Sequence, residues 1–100
     1  TEAIVGEEAV ETLDKYNFTK GFWGTNGISV TKGFSTPEVK EAMVKKHSIE
    51  NCKKCYILAD PSKFDQMSSV KFADFDQATI LTTGLLKPAL KKYKNIVEVK

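Results

Sequence analysis

No stretch of this sequence is apolar for long enough to cross a bilayer. The opening Thr1-Glu2-Ala3-Ile4-Val5 is short and acidic, with no signal-peptide cleavage pattern behind it. With two cysteines in 100 residues, a secreted disulfide scaffold is excluded as a reading, and the cytoplasm is the expected compartment. Charge of one sign is also lacking. Fifteen basic residues stand against thirteen acidic ones, for a formal charge of +2, and the lysines are scattered. A nucleic-acid binder of this size concentrates its basic residues on one face, so this chain is not expected to hold DNA by itself. There is one histidine, no phosphate-binding P-loop and no Gly-x-Gly-x-x-Gly. No Ser-His-Asp set can be placed, and no catalytic residue and no cofactor are assigned. Thr rather than Met at position 1 points to a piece of a longer polypeptide.

What is present is an ordinary globular composition, 41% hydrophobic and 28% charged. Val5, Ala9, Leu13 and Tyr16 recur at helical spacing and predict a helix over 4–16. A buried strand is expected over 18–25, with a turn at Asn26-Gly27. Residues 28–34 read as irregular or weakly extended. Thr36 is the expected N-cap of a second helix, with Pro37 in its first position and Val39, Ala42, Met43 and Ile49 along it. Strands follow at 54–60, which Pro61 stops, and at 78–83. A short strand at 69–72, a helix over 86–93 and a last strand at 95–99 complete the reading. Strands alternating with helices predict an α/β fold with a mostly parallel sheet flanked by helices. In such sheets ligands bind beyond the carboxyl ends of the strands.

Three segments there carry candidate chemistry. Thr25-Asn26-Gly27 offers an amide that both donates and accepts, suited to a polyol; an ordinary turn needs the same residues. Gly33 to Glu38 reads as a helix start able to hold a phosphate on free N–H groups, with Gly33 allowing close approach and the hydroxyls of Ser35 and Thr36 assisting. The alternative is a well-capped helix and nothing more, and Glu38 adds an unhelpful negative charge. In Asp60-Pro61-Ser62-Lys63, Asp60 can accept from sugar hydroxyls and Lys63 can set its ammonium on a phosphate, though Asp-Pro-Ser is also common turn chemistry. Cys52-Lys53-Lys54-Cys55 falls at a helix C-terminus, the wrong end for a reactive Cys-x-x-Cys. With His47 it makes three ligands at most, short of a zinc site, and His47 has no catalytic role.

Taken in order, Phe22-Trp23-Gly24-Thr25-Asn26-Gly27-Ile28-Ser29, Gly33-Phe34-Ser35-Thr36-Pro37, Glu41-Ala42-Met43-Val44-Lys45 and Leu58-Ala59-Asp60-Pro61-Ser62-Lys63-Phe64 resemble the C-terminal sensor domain of DeoR-family repressors. Ile4-Val5-Gly6, Phe72-Ala73-Asp74 and Thr79-Ile80-Leu81-Thr82-Thr83 fit the same pattern, so the resemblance covers nearly the whole chain. Within the family it is most similar to repressors of sugar phosphotransferase operons. The resemblance implies a fold related to ribose-5-phosphate isomerase and glucosamine-6-phosphate deaminase, present here as a partial domain. It implies a phosphorylated sugar as effector. Asn26 and Gly27 then match the sugar-facing loop, and Thr36 and Lys63 match polar and cationic contacts, with Asp60 beside them. It also implies that the family's N-terminal helix-turn-helix and its early glycine-rich phosphate loop lie outside this chain. Operator DNA is then met only through that other domain, in a full-length protein that is a homo-oligomer. The sequence departs from the pattern at Asp65, where glycine is frequent, at Ser48 in place of a methionine, and at Thr83 in place of an aspartate.

Two other functions compete with the sensor reading. One is a sugar-phosphate isomerase or deaminase fragment using Asp60 or Glu38 for proton transfer. Against it, Asn26 carries an amide where the isomerase pattern carries carboxylates. The other is a ligand-free oligomerisation domain, with apolar strand residues and Phe72 and Phe75 in an interface.

Overall fold

The apolar stretches around Trp23, Ile57 and Ile80 form neighbouring parallel strands, as their compact runs between turn residues predict. In the computed structural model, which describes residues 17–84 and 87–99, they are β1 (Phe18–Gly24), β4 (Cys52–Ala59) and β6 (Thr79–Thr82). With β7 (Ile96–Glu98) they make a four-stranded sheet in the order β1-β4-β6-β7, all pairs parallel. The α/β class and the mostly parallel central sheet are therefore as the sequence predicts. The predicted helix at 4–16 lies outside the described residues.

A second sheet was not foreseen. Residues 28–34, expected to be irregular or weakly extended, lie in an antiparallel hairpin of β2 (Gly27–Ser29) and β3 (Gly33–Thr36). β5 (Val70–Ala73), close to the predicted short strand, pairs antiparallel with β3. Gly33 makes the hairpin possible. Its φ is +82°, and a Cβ there would overlap the carbonyl of Ala73. Only a residue without a side chain adopts that geometry at no cost.

Thr36 is accordingly not a helix cap. It is fully buried in β3, paired with Val70, because the strand pairing claims its backbone. The helix, α1 (Val39–Glu50), is capped by Glu38, whose carboxylate accepts from the Lys40 N–H at 2.9 Å. Gly33 and Ser35 are strand residues too, so the Gly33 to Glu38 segment is no phosphate cradle at a helix start. The predicted helix over 86–93 is, where described, a single 3-10 turn, Pro88–Leu90.

The core lies where α1 and the two sheets meet. Ile57 and Ile80 from the parallel sheet, Ile28 and Phe34 from the hairpin, Phe72 from β5 and Ile49 from α1 are all at most 4% exposed. The rings of Phe72 and Phe75 stack against Phe34, 6.2 and 6.3 Å between centroids. Phe72 is thus a core residue, which removes it from the interface of the oligomerisation reading. The other face of the parallel sheet carries Phe22, Leu58 and Val97, all exposed, with Phe22 stacked on Tyr56. Among the described residues, no helix is long and apolar enough to cross a membrane.

Candidate functional site

Parallel register decides which loops can meet. Gly24 pairs with Leu58, and Ala59 with Thr82, so β1, β4 and β6 end together and the segments starting at Thr25 and Asp60 emerge side by side. They are then tied. Ile28 bridges Phe64, and the Asp65 N–H donates to the Ile28 carbonyl at 2.9 Å. Gly27 faces the Gln66 carbonyl so closely that a Cβ would overlap it.

Within this junction the predicted residues divide by exposure. Thr25 is buried, its Oγ1 within 2.9 Å of the Gly27 carbonyl and 3.1 Å of the Ser35 carbonyl. The Asn26 N–H donates to the same Ser35 carbonyl at 3.0 Å. Thr36 Oγ1 donates to Asn26 Oδ1 at 3.3 Å. Thr25, Gly27 and Thr36 thus build the loop. Asn26 is exposed, and with its Oδ1 accepting from Thr36 the half of its amide left to offer a ligand is the Nδ2 donors. That half of the amide suits an oxygen-rich ligand.

The second segment folds into a 3-10 turn, Pro61–Lys63, capped by Asp60. Asp60 Oδ1 accepts from the Ser62 N–H at 2.9 Å and also from the Ser62 hydroxyl. These bonds, the hydroxyl first, together with the nearby Lys63 charge, hold the Asp60 carboxyl below its ordinary range. Ser62 is therefore committed to Asp60. Lys63 is half-buried, and Asp60 and Ser62 are exposed. Asp65 follows in a left-handed conformation, φ 63°, which accounts for glycine being frequent there in the family pattern. A cavity of about 450 Å³ opens at the ends of β4 and β6, lined by Leu58, Ala59, Asp60, Leu81, Thr83 and Val99. Of the predicted residues, Asp60 reaches it.

Sequence reasoning missed the contacts that fix the exit of β1. The Trp23 indole N–H donates to Ser48 Oγ at 2.8 Å, and Lys45 Nζ donates to the Gly24 carbonyl at 2.9 Å. Ser48, where the family pattern has methionine, is buried and used. The Lys45 ammonium also lies 5.1 Å from the centre of the Phe72 ring. Its partial burial lowers its pKa, against an opposing pull from Glu41. The available signal was the position of Lys45 on α1, three residues before Ser48 and so on the same helix face.

Cys52 and Cys55 are free thiols on β4, which starts directly after the C-terminal end of α1, as the sequence predicts. Burial, then the neighbouring Cys52, pushes the Cys55 thiol up to about 11. At pH 8 its thiolate is about one molecule in a thousand, so iodoacetamide is expected to label Cys52 in the folded protein and leave Cys55 unmodified. Peptide mass mapping checks this; rapid labelling of Cys55 under native conditions would contradict its burial. Among the described residues, no group of three or more histidine, cysteine or acidic side chains is placed to hold a metal ion.

The chain is 41% identical over all 100 of its residues to the uncharacterized HTH-type transcriptional regulator FruR of Bacillus subtilis, covering 40% of that protein. It is 35% identical over 83% of its length to the HTH-type transcriptional regulator GlpR of Haloferax volcanii, 32% of that protein. It is 28% identical over 97% of its length to the lactose phosphotransferase system repressor of Streptococcus mutans, again 40% of that protein. The chain thus spans two fifths or less of the length of these relatives, which are transcriptional regulators. The family of DeoR C-terminal sensor domains matches residues 1–84, and the chain belongs to it.

Proposed function

We propose that this chain is the effector-binding part of a sugar-operon repressor and that its effector is a phosphorylated sugar. The observation that carries the reading is the junction of the two loops at the strand ends. The loop that carries Asn26 is tied there, through the Ile28–Phe64 bridge, to the segment that carries Asp60 and Lys63. The amide offers hydrogen bonds to hydroxyls, Asp60 accepts from them, and the Lys63 ammonium supplies the charge for a phosphate. The phosphotransferase name of the Streptococcus relative supports the same ligand class. The residues of the site are Thr25, Asn26, Gly27, Thr36, Asp60, Ser62 and Lys63. Thr25, Gly27, Thr36 and Ser62 shape the loops, and the other three face the ligand.

On this reading the chain does no chemistry. Asp60, the candidate base of an isomerase or deaminase, has its pKa held down, whereas a base working near neutral pH needs it raised. Glu38 is spent on capping α1. The effector acts by favouring one arrangement of sensor and DNA-binding domain, and it shifts operator affinity only by its differential affinity for the two. Operator contact belongs to an N-terminal helix-turn-helix outside this chain, in a cytoplasmic homo-oligomer.

The test is a thermal-shift screen of the complete regulator against pentose and hexose phosphates. A ligand at a hundred times its Kd contributes about 2.7 kcal/mol, which raises Tm by several degrees. One sugar phosphate is expected to do so, and Lys63→Ala to abolish the shift. No shift with any of them, in protein that melts cooperatively, would reject the reading.

A further inference from the structure

We infer that Lys45 is the positioning residue of the Thr25–Asn26–Gly27 loop; the inference rests on that loop being part of the effector site. Two successive residues at the end of β1 are fastened to one face of α1. Trp23 is held through its indole by Ser48, and Gly24 through its carbonyl by Lys45. The two helix residues are themselves joined, since Ser48 Oγ donates to the Lys45 carbonyl at 2.9 Å.

The bond from Lys45 differs in kind from the others. Its donor is a full charge, and a charge-assisted hydrogen bond is roughly twice as strong as a neutral one. It falls on the last residue of β1, directly before Thr25. Gly24 is exposed, and a Cβ there would meet nothing within 4 Å among the described residues, so the residue has no side chain to anchor it. The ammonium is held in turn against the Phe72 ring, which is buried and stacked on Phe34. The exit of β1 is thereby referenced to the rigid core, and with it the direction of the Asn26 amide.

The experiment compares Lys45→Met and Lys45→Arg with the wild type in the complete regulator. Methionine keeps the helix propensity and the apolar stem while removing the ammonium, and arginine restores a cation. Two readouts are followed. One is the backbone amide shifts of Thr25, Asn26 and Gly27, together with the fluorescence of Trp23, the single tryptophan of this chain. The other is affinity for glucose 6-phosphate, fructose 6-phosphate and ribose 5-phosphate, titrated separately.

Lys45→Met is expected to move the three amides and to weaken the binding probe about tenfold, the scale of one charge-assisted bond. Lys45→Arg is expected to recover most of both. Unchanged amides in Lys45→Met, or unchanged affinity where the wild type binds, would overturn the positioning role. If the wild type binds none of the three while another sugar phosphate raises its Tm, that compound replaces them as the probe. If no sugar phosphate binds the wild type, it is the effector assignment that fails, and the amide shifts still decide whether Lys45 holds the loop. Should Lys45→Met not fold, Lys45→Arg alone decides: amides and affinity far from wild type in a folded protein would contradict a role that any cation at this position fills.

Discussion

Phe34→Ala is expected to lower Tm by more than about 12 °C. Phe34 is fully buried, and its ring meets Phe72 from β5 on one side and Phe75 on the other. Truncating a buried phenylalanine costs about 3–5 kcal/mol, from lost transfer free energy and from the cavity left behind. A domain of about 100 residues loses roughly 4–8 °C per kcal/mol. The aromatic–aromatic contacts add to the loss, because both partners face a void once the ring is gone. Phe22→Ala is the control. Phe22 is 55% exposed and, among the described residues, stacks on Tyr56, so its removal is expected to cost far less. Thermal or urea denaturation of both variants is the measurement. A drop below about 4 °C for Phe34→Ala, or equal drops for the two, would mean that the antiparallel sheet is not packed on the core as described.

The contrast between these two phenylalanines shows what could be read from the sequence. The first two parallel strands were legible because each has a short apolar run closed by a breaker, Gly24 at the end of β1 and Pro61 just past β4. Their order along the chain then implied a parallel sheet. The antiparallel sheet was hidden for two physical reasons. Its strands are three or four residues long, and β3 meets β5 across more than thirty residues of sequence, a pairing that local propensity does not encode. Two of its buried positions are also polar. Ser35 and Thr36 are buried because the Ser35 hydroxyl accepts from the Ser68 N–H and Thr36 bonds Asn26. A Ser-Thr-Pro-Glu run read locally is a helix start, and tertiary pairing overrode it.

The same cause hid half of the site. The sequence placed Val39, Ala42, Met43 and Ile49 along the helix but did not say which of its residues face the core. Val39 and Met43 are exposed, while Ser48 is buried and Lys45 half-buried with the buried Ala42 and Ile49. The helix is rotated toward its polar residues because each finds a partner at the end of β1, and a buried polar group with a partner carries little penalty. The loops proposed to face a ligand were legible because loop residues declare themselves by type and order: Asn-Gly after one strand, Asp-Pro-Ser-Lys after the next. What holds those loops was not, because it depends on which side chains the fold brings beneath them.

Gly27→Val separates these two roles at one position. Gly27 lies in β2, and valine is at ease in an extended strand, so local backbone preference favours the change. The space does not. A Cβ at Gly27 would overlap the Gln66 carbonyl and lie 2.9 Å from Ser35 Oγ. The first obstacle is backbone and cannot rotate away. The 25–27 and 60–66 segments must therefore part, which breaks the Ile28–Phe64 bridge and the bond from the Asp65 N–H to the Ile28 carbonyl. Overpacking of this kind costs about 1–3 kcal/mol or more, so Tm is expected to fall by roughly 5–20 °C. Sugar-phosphate binding is expected to be lost below the new Tm as well, since the loops that carry Asn26 and Lys63 are no longer tied together. Truncating Ser35 to alanine in the same background is expected to recover little, because the backbone overlap remains. Denaturation curves and sugar-phosphate titration of the single and double variants give the answer. A Gly27→Val protein as stable as the wild type would show that the two loops are further apart than the Ile28–Phe64 bridge requires. One that is destabilised yet binds normally would show that the ligand depends on one loop alone.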